Sequence, residues 1–398
     1  MSTVDQIIST LKAIDARSFT SDDRLLLLDE LRSTLRRVQT PWDVAWDQAW
    51  VHGNTMAATK TLIDAGLFTK WAEAGSKPMT TSKFAELTGA DPILLNTDNL
   101  KGRLLRQIAA DHLITEIDQD TYSSTPWSLR LGTESTFSSI YRRFYHDLVT
   151  PLFLSLPSFF KDTGYKNPTN LLNSNFQHVH GEGSTFFGFV SSNEVMNQQF
   201  ADAMDCHSAG NFTSWVDLFD TDQVVKAARP GHALVVDIGG SKGHDIEKFL
   251  QKHPTVPKES LILQDLPEVL HKFTINPGIT VYPYDFFTPQ PVKGAAVYYF
   301  HIVLHDWPDN KATEILEVVR DAMEPGYSKV LIHEALVAAK EPSLTATTLD
   351  MTMMALFSAL ERSEDQWYKL IGSVEGLQIT KIWKARHSVE SIIEIERV

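Results

Sequence analysis

Apolar positions change their spacing near residue 230 of the chain. Before residue 130 they recur at helical spacing, most clearly in the leucine-rich segment 22–38 and again over 46–67. After 230, short apolar runs alternate with amphipathic segments such as 309–323. The short runs predict strands at 233–238, 260–264, 279–284, 295–304 and 329–333. Strands that alternate with helices predict βαβ units and a mostly parallel sheet.

The middle and the end of the chain predict a connecting region and a terminal hairpin. Residues 131–190 are rich in Pro, Gly, Asn and Ser, so we expect a connecting region with one helix around 138–160. Two closely spaced apolar runs, 377–384 and 391–398, predict an antiparallel hairpin at one edge of the sheet. We therefore predict a helical N-terminal domain over 1–190 and an α/β domain over 191–398.

Residues 81–124 follow the pattern of a winged helix. A helix over 81–87 and a second helix that ends at Ala110 precede a strand pair at 112–117 and 122–124. Such a motif either reads DNA or serves as a packing scaffold. The formal net charge of −14 repels phosphate, and the second helix carries few basic residues. We therefore favour the scaffold and expect no nucleic-acid partner.

Composition narrows the class of protein further. The 398 residues are 43% hydrophobic and 22% charged, as in globular proteins. The lone cysteine, Cys206, excludes an internal disulfide and a cysteine-rich zinc site, and it favours a reducing, cytoplasmic compartment. The N-terminus lacks the apolar core of a signal peptide. The apolar stretch 148–160 contains two prolines and is too short to span a bilayer, so we expect no membrane partner.

Ionisable residues follow the predicted strands, at the point where each strand ends. In chain order they are Asp237, Asp265, Asp285, His305 and Glu334. The carboxyl ends of parallel strands meet at one edge of an open sheet, where ligands bind. Charged residues are seldom buried without partners, so a shared ligand site explains these five ends better than a hydrophobic core does.

The loop after Asp237 narrows the choice of ligand. Gly239 and Gly240 lie in the run DIGGSKG, where the backbone can approach a ligand closely at the start of a helix. Asp265 can accept both ribose hydroxyls of NAD or of S-adenosylmethionine. The run lacks the G-x-G-x-x-G register of dinucleotide-binding proteins. An acid beside the loop suits an ammonium and a sulfonium better than a pyrophosphate, which favours S-adenosylmethionine.

Five motifs together resemble a known enzyme family. They resemble motifs of the plant and fungal small-molecule O-methyltransferases, a family that includes the caffeic acid and flavonoid enzymes. Order and spacing agree for all five: VVDIGGSKGH, LQDLPEV, YDFF, FHIVLHDWPD and VLIHEAL. The resemblance implies a Rossmann-like, S-adenosylmethionine-dependent methyltransferase domain over 191–398. It also implies that 1–190 is a dimerisation domain, so that the protein is a homodimer acting on a small-molecule acceptor.

The resemblance assigns roles to individual residues. It makes His305 the general base, flanked by Glu334 and Glu361. The cofactor residues that we predict are Ser208, Asp237, Gly239, Gly240, Asp265, Leu266, Asp285, Phe286 and His301. The substrate residues that we predict are Phe200, Met204, His207, Trp307 and Met354.

Two positions depart from the family pattern. Ser241 stands where the family usually has Gly, and we expect little effect because the side chain is small. His301 stands where the family usually has Lys or Arg, so we expect a weakened or retuned contact there. We expect Asp306 to cap the following turn rather than react.

The proposed chemistry needs a base but no metal. Methyl transfer from a sulfonium is an in-line displacement, in which the protein aligns the acceptor oxygen and removes its proton. A histidine with a pKa of about 6.5 suits that task, and a carboxylate of Glu334 or Glu361 on the other ring nitrogen fixes its tautomer. The histidines and acids lie on separate strands without a compact metal-ligand motif.

Several alternatives stay open at this point. The acceptor hydroxyl is expected to be a phenol or an enol of a flat secondary metabolite. A pericyclase or cyclase on the same fold would use the sulfonium as a fixed charge, but such enzymes often lose the base that this chain keeps. A DNA-binding regulator and an NAD-dependent dehydrogenase are disfavoured by the net charge and by the loop register, respectively.

Overall fold

The computed structural model describes residues 2–95, 103–210, 213–271, 273–384 and 389–398. Packing divides the chain into two compact units, Met1–Glu134 and Ser135–Val398. The functional boundary at 190/191 that the sequence predicts stays a prediction, since the segment 135–190 packs within the second unit. No helix in the described part is long and apolar enough to cross a membrane.

The first unit is mainly helical. Its helices are α1 (Thr3–Lys12), α2 (Ser21–Val38), α3 (Pro41–Trp46), α4 (His52–Asp64), α5 (Leu67–Glu73), α6 (Thr81–Thr88), α7 (Pro92–Leu95), α8 (Leu104–Ala110) and α9 (Pro126–Thr133). Its strands are β1 (Met79–Thr80), β2 (Thr115–Asp118) and β3 (Thr121–Ser123), hydrogen-bonded antiparallel in the order β1-β3-β2. The winged-helix assignment stays a prediction, and part of its second helix falls on 96–102, outside the described residues.

The helix predicted over 46–67 is interrupted in the structure. A π-helical turn, Asp47–Val51, joins α3 to α4, and Gly66 separates α4 from α5. Gly66 has φ +72°, a left-handed conformation that glycine adopts at little cost and that ends α4 just before it.

The single helix predicted around 138–160 is wrong. The structure has α10 (Ser135–Ser139), a π-helical turn (Arg143–Val149) and α11 (Thr150–Asp162), followed by α12 (Asn175–His180) and α13 (Phe186–Ser191). The interruption lies at residues 140–142, where Arg142 is extended (φ −90°, ψ −150°), whereas Pro151 lies in the first turn of α11, where its missing N–H costs little.

The remaining elements form an α/β layer structure. The helices are α14 (Glu194–Gly210), α15 (Trp215–Leu218), α16 (Asp222–Lys226), α17 (His244–Lys252), α18 (Pro267–Leu270), α19 (Asp309–Arg320), α20 (Leu344–Phe357) and α21 (Glu364–Gly372). The strands are β4 (Val235–Ile238), β5 (Leu261–Asp265), β6 (Thr280–Pro283), β7 (Val297–His301), β8 (Lys329–Ala335), β9 (Leu377–Lys384) and β10 (Glu390–Arg397).

Seven strands of the described chain make one sheet in the order β6-β5-β4-β7-β8-β10-β9. Strands β4 to β8 run parallel, whereas β10 pairs antiparallel with β8 and β9. This confirms the predicted Rossmann-like fold, including the hairpin at one edge. The strand order reverses between β4 and β7, and the crevice at their carboxyl ends is where such sheets bind ligands.

Strand β7 buries every side chain along most of its length, because helices cover both faces of the sheet there. Tyr298 and Phe300 join the core beneath α19 and α21, whereas Val297 and Tyr299 join the core beneath α15 and α17. A strand that is buried on both faces has a continuous run of apolar residues, and this run is why the sequence predicted β7.

Candidate active site

The glycine loop lies directly beyond β4. Gly239 has φ +73°, and a Cβ there would stand 2.9 Å from Val303 Cγ2 and 3.9 Å from Phe286 Cε1. Gly243, at φ +77°, is the residue before α17. The loop therefore lies close to Val303 and Phe286, on two other strand ends, and leads into a helix N-terminus.

Asp237 lies under this loop as a buried acid. A Cβ on Gly240 would stand only 2.5 Å from Asp237 Oδ2, so the loop backbone rests on the carboxyl group. Oδ2 has no hydrogen-bond partner among the described residues. Burial raises the pKa of Asp237 well above its usual range, and the charge of Asp245 adds to the rise while that of His301 opposes it. A bound cation would complement this carboxylate.

The next two strand ends also lie at the crevice. Asp265 accepts the Ser241 N–H at Oδ2 (2.8 Å) and the Leu266 N–H at Oδ1 (2.7 Å), which ties the glycine loop to β5. Burial raises the pKa of Asp265, although these two hydrogen bonds oppose the rise. Asp285 accepts the Phe287 N–H at 3.0 Å.

His305 lies in a 3-10 turn, Leu304–Asp306, and only 7% of it is exposed. Its Nδ1 lies 2.7 Å from Glu361 Oε1. Its Nε2 lies 3.5 Å from Asp306 Oδ1. Burial alone would lower the pKa of His305, but the charges of Glu361, Asp306 and Glu334 outweigh burial and raise the pKa to about 10.

Glu334 has a different contact from Glu361. Its Oε1 accepts three consecutive backbone N–H groups, those of Val303 (3.2 Å), Leu304 (2.6 Å) and His305 (3.3 Å). Glu334 thus orients the turn, whereas Glu361 contacts the imidazole itself. Of the two carboxylates that the sequence offered for the ring nitrogen, the structure places Glu361 there.

The strand predicted over 295–304 is too long, and the same turn gives the reason. Strand β7 ends at His301, and Ile302 takes φ +54°, which is strained for a β-branched residue. The N–H groups that follow bond to Glu334 rather than to a neighbouring strand.

Asp306 does not cap the helix that follows its turn. Helix α19 begins after Pro308 and has no side-chain cap. The Asp306 carboxyl group lies beside the imidazole instead, and burial raises its pKa to about 7 although the charge of His305 opposes the rise. The expectation of a capping role is therefore wrong.

His301 lies in a buried polar network behind the glycine loop. Its Nδ1 is 2.6 Å from Asp245 Oδ2, in the first turn of α17, and its Nε2 is 3.5 Å from Glu390 Oε2 on β10. Burial alone would lower the pKa of His301, but Asp245 and Glu390 outweigh it and raise the pKa to about 10. The imidazolium therefore ties the glycine-loop helix to the sheet. Its predicted contact with the cofactor stays a prediction.

His333 completes this network. Its ring stacks on that of His301 with centroids 4.4 Å apart and an angle of 14°, and Nδ1 lies 2.8 Å from the Tyr299 hydroxyl. Both Nε2 atoms lie 3.5 Å from Glu390 Oε2. Burial lowers the pKa of His333 well below its usual range, whereas the pKa of His301 is raised, so the positive charge that faces Glu390 lies on His301.

His301→Gln is expected to lower the free energy of unfolding by about 1–3 kcal/mol at pH 7, because it removes the buried cation that Asp245 and Glu390 share and leaves Asp245 paired only with Lys248. The pKa of His301 is raised in the fold, so its stabilising charge is fully present below about pH 6.5 and is lost as the pH rises through about 10. Urea unfolding should show the difference between variant and wild type shrinking over that range. A difference that grows with pH would contradict this assignment.

The predicted substrate residues fall into separate groups. Phe200 and Met204, on α14, pack with an aromatic cluster that includes Phe144, Phe186 and Phe357. Met354 packs in a neighbouring cluster with Leu156 and Phe159, while its neighbour Met353 faces the aromatic one. The side chains of His207 and Ser208 lie outside the described residues.

Trp307 lies away from that aromatic cluster. Its ring packs edge-on against Phe286 (5.8 Å) and Phe287 (4.8 Å). Phe286 is a predicted cofactor residue, so the structure brings Trp307 together with the cofactor group rather than with Phe200 and Met204. Leu266, also in the cofactor group, is 38% exposed beside Asp265.

Three residues of the site were missed by sequence reasoning. Asp245 and Glu390 are the acids that hold His301, and Arg362 holds the turn that carries His305. Arg362 had a usable signal, since it adjoins Glu361 in the run ALERSEDQW. Asp245 and Glu390 look like ordinary surface acids in the sequence, and only folding brings them to His301.

Comparisons with known proteins agree with this geometry. Residues 165–376 match the model of the O-methyltransferase domain family. Over 391 residues the chain is 35% identical to the O-methyltransferase mfmE of Annulohypoxylon moriforme, covering 98% of this chain and 95% of that protein. A structure of LepI in complex with SAM is 25% identical with a TM-score of 0.86, covering 99% of this chain and 98% of that one. A structure described as a pericyclic reaction enzyme, 24% identical with a TM-score of 0.87, covers 100% and 99% and shares the fold.

Proposed function

Because the chain belongs to the family of S-adenosylmethionine-dependent O-methyltransferases, we propose that it methylates a phenolic or enolic hydroxyl of a small secondary metabolite, with His305 as general base. One observation carries the assignment of the base. A buried imidazole stands at a strand end beside the crevice, and its Nδ1 is held by Glu361 at 2.7 Å. That contact leaves Nε2 as the nitrogen that can take up a proton.

The crevice fits S-adenosylmethionine, which supplies a methyl group already activated by a positively charged sulfur. Asp237 offers a buried carboxylate oxygen to the ammonium group, beneath a loop whose glycines allow close approach. Asp265 would hold the ribose, and Asp285 with Phe286 would hold the adenine. These residues lie at successive strand ends on one edge of the sheet.

The residues around His305 prepare it to remove the acceptor's proton. Glu361 accepts the Nδ1 proton, which fixes the tautomer with Nε2 available and stabilises the imidazolium that forms. A phenol is a weak acid with a pKa of about 10, so carboxylates that raise the pKa of the imidazole above its usual value make it a stronger base for removing the acceptor's proton.

The aromatic cluster on α14 and α20 supports an apolar, flat acceptor. Phe187 and Phe357 stack at 5.3 Å, and Phe200 lies 5.7 Å from Phe186. Met353 and Met204 adjoin these rings and can adapt to ligands of different outline. Helix α20 leads into the segment that carries Glu361, so these side chains begin only a few residues from the base's partner.

The function is tested by incubating the protein with S-adenosylmethionine labelled in its methyl group and a panel of phenols and enols. Label in an extracted acceptor, with one equivalent of S-adenosylhomocysteine, is the expected result. A rearranged acceptor with no S-adenosylhomocysteine would instead show a pericyclase or cyclase, the alternative that the shared fold allows. If neither a methylated nor a rearranged product forms with any member of the panel, that result would contradict both activities for this class of acceptor.

We further propose that the protein is a homodimer built through its N-terminal helices. In α1, the residues Val4, Ile7, Ile8 and Leu11 form an apolar stripe at helical spacing, and no residue of this helix is buried within the described chain. Trp42, Trp46 and Trp50 add three exposed rings in contact, of which Trp46 and Trp50 are stacked and Trp42 is tilted against both. Exposed apolar surface of this extent is typical of an interface.

The double variant Ile7→Glu, Leu11→Glu is therefore expected to convert a dimer into a monomer, because it places charges on the apolar stripe of α1. Sedimentation velocity gives the mass of each form. The matched control Gln6→Glu, Thr10→Glu has the same spacing on the polar face and should stay dimeric. A dimer that survives in the first variant, or a wild-type monomer, would contradict this interface.

A further inference from the structure

We propose that Arg362 is a positioning residue for the general base, and that its guanidinium holds the turn of His305 by the backbone carbonyl groups on both sides. The inference rests on the role proposed for His305. It concerns a side chain whose hydrogen bonds go to the backbone of this turn and to Asp309, not to the imidazole.

The geometry uses the full fork of the guanidinium. Nη1 donates to Leu304 O (3.0 Å) and Nη2 donates to Trp307 O (2.8 Å). Nε donates to Asp309 Oδ1 (2.9 Å), at the start of α19. Leu304 directly precedes His305 and Trp307 follows it by two residues, so one rigid planar group spans the base.

The cost of burying this charge argues that it has a specific task. The Arg362 side chain is fully buried, and its ion-pair partner Asp309 is 61% exposed. Buried ion pairs are weak evidence for stability, because apolar side chains of similar volume often pack as well or better. A planar guanidinium, in contrast, holds its donors in a rigid fork that reaches two separated carbonyls and a carboxylate at the same time.

Arg362 and Glu334 hold the same turn from opposite sides. Glu334 accepts the N–H groups of residues 303–305, and Arg362 donates to the carbonyl groups at 304 and 307. The turn therefore has both its donors and its acceptors bonded to charged side chains, and charge-assisted hydrogen bonds are about twice as strong as neutral ones.

Arg362 and Glu334, with their hydrogen bonds to the turn, are called the clamp below. The position of Arg362 in the chain links this clamp to the imidazole. Its neighbour Glu361 contacts His305 Nδ1, so a shift of the turn against Arg362 also changes the distance to Glu361. The backbone of Arg362 is itself anchored, since its carbonyl accepts the Val337 N–H at 3.2 Å just beyond β8. The clamp thus sets the turn relative to the sheet and relative to the base's carboxylate.

The test compares Arg362→Lys with Arg397→Lys as a matched control. Arg397 also donates to two backbone carbonyls, Arg320 O and Met323 O, at the end of α19 remote from His305. Lysine keeps the charge at either site but lacks the planar fork. The first readout is the pKa of His305, which is measured by an NMR titration of protein labelled in its histidine rings. The variant His305→Gln identifies the signal. This measurement does not depend on any methyl transfer.

For Arg362→Lys, the pKa of His305 is expected to fall by at least about one unit, because loosening the turn weakens the contact with Glu361. With an acceptor found in the phenol and enol panel, the plateau value of kcat at high pH, where the imidazole is neutral in both proteins, should fall at least about tenfold while KM for S-adenosylmethionine stays nearly constant. The kcat deficit should shrink for acceptors of lower pKa, which need the base less. Arg397→Lys should keep the wild-type histidine signal, kcat and acceptor dependence.

If Arg362→Lys does not fold, Asp309→Asn removes the charge of one of the three partners and leaves the arginine in place. It should shift the His305 signal in the same direction by a smaller amount. Wild-type signals in the folded variants would overturn the proposal, as would equal losses in Arg362→Lys and Arg397→Lys. A shifted signal without any methylated product would support the clamp while opposing the proposed function.

Discussion

Replacing His305 with glutamine is expected to lower kcat by about 10²–10⁴-fold, the usual contribution of a general base, while the Kd of S-adenosylmethionine changes little. Glutamine approximates the size of the imidazole and can still bond to Glu361, but it cannot accept a proton at neutral pH. Asp237, Asp265 and Asp285, which we expect to bind the cofactor, lie on β4, on β5 and after β6, and the substitution leaves them intact.

The pH dependence should change with the same substitution. The pKa of His305 is raised to about 10, so the neutral imidazole that accepts a proton becomes more abundant as the pH rises from 7 towards 10. In the wild type, kcat/KM for the acceptor should therefore increase over this range and level off near the upper end. In His305→Gln only the ionisation of the acceptor itself should remain.

Initial rates from release of S-adenosylhomocysteine measure both effects, and calorimetry measures cofactor binding. His232→Gln is a suitable control, because His232 bonds to the Gly294 carbonyl at 2.7 Å, before the amino ends of β4 and β7. It should keep wild-type turnover. Full activity in His305→Gln, or a loss of activity explained by lost cofactor binding, would remove His305 from the role of base.

The sequence could predict the sheet because its strands are buried on both faces. Strands β5, β7 and β8 each contain an unbroken apolar run, and the ionisable residues that follow these runs stand out against them. The connecting region was harder, since prolines and glycines hide the helical spacing of α11 to α13. There the tertiary packing of Phe176 and Phe186, rather than any periodic pattern, stabilises the short helices.

Partners of the site residues were less predictable than the residues themselves. Motif spacing points to His305, but Glu361 is 56 positions away and only the fold shows that it, rather than Glu334, contacts the ring. The bend after His301 likewise depends on Glu334, which is distant in sequence. Hydrogen bonds across such separations leave no local trace, so sequence reasoning identified the chemistry but not how it is held in place.

Gly240→Ala is expected to raise the Kd of S-adenosylmethionine at least about tenfold and to lower the free energy of unfolding by about 1–3 kcal/mol, as overpacking does. The added Cβ would stand 2.5 Å from Asp237 Oδ2 and 2.5 Å from Leu263 Cδ1. Asp237 and Leu263 belong to neighbouring strands and are buried, so neither can move aside without disturbing the sheet. The loop must lift instead, which separates its backbone from the carboxylate beneath it.

Gly53→Ala supplies the matched control, because a Cβ there has no heavy atom within 4 Å and the residue lies inside α4. Alanine is the better helix former, so this variant should be unchanged or more stable by up to about 1 kcal/mol. Calorimetric titration with S-adenosylmethionine and urea unfolding should be run on both variants. Gly240 does not have a positive φ, so a deficit in Gly240→Ala would report the lost space above Asp237 rather than backbone strain. Wild-type affinity in that variant would mean that the cofactor does not bind against this loop.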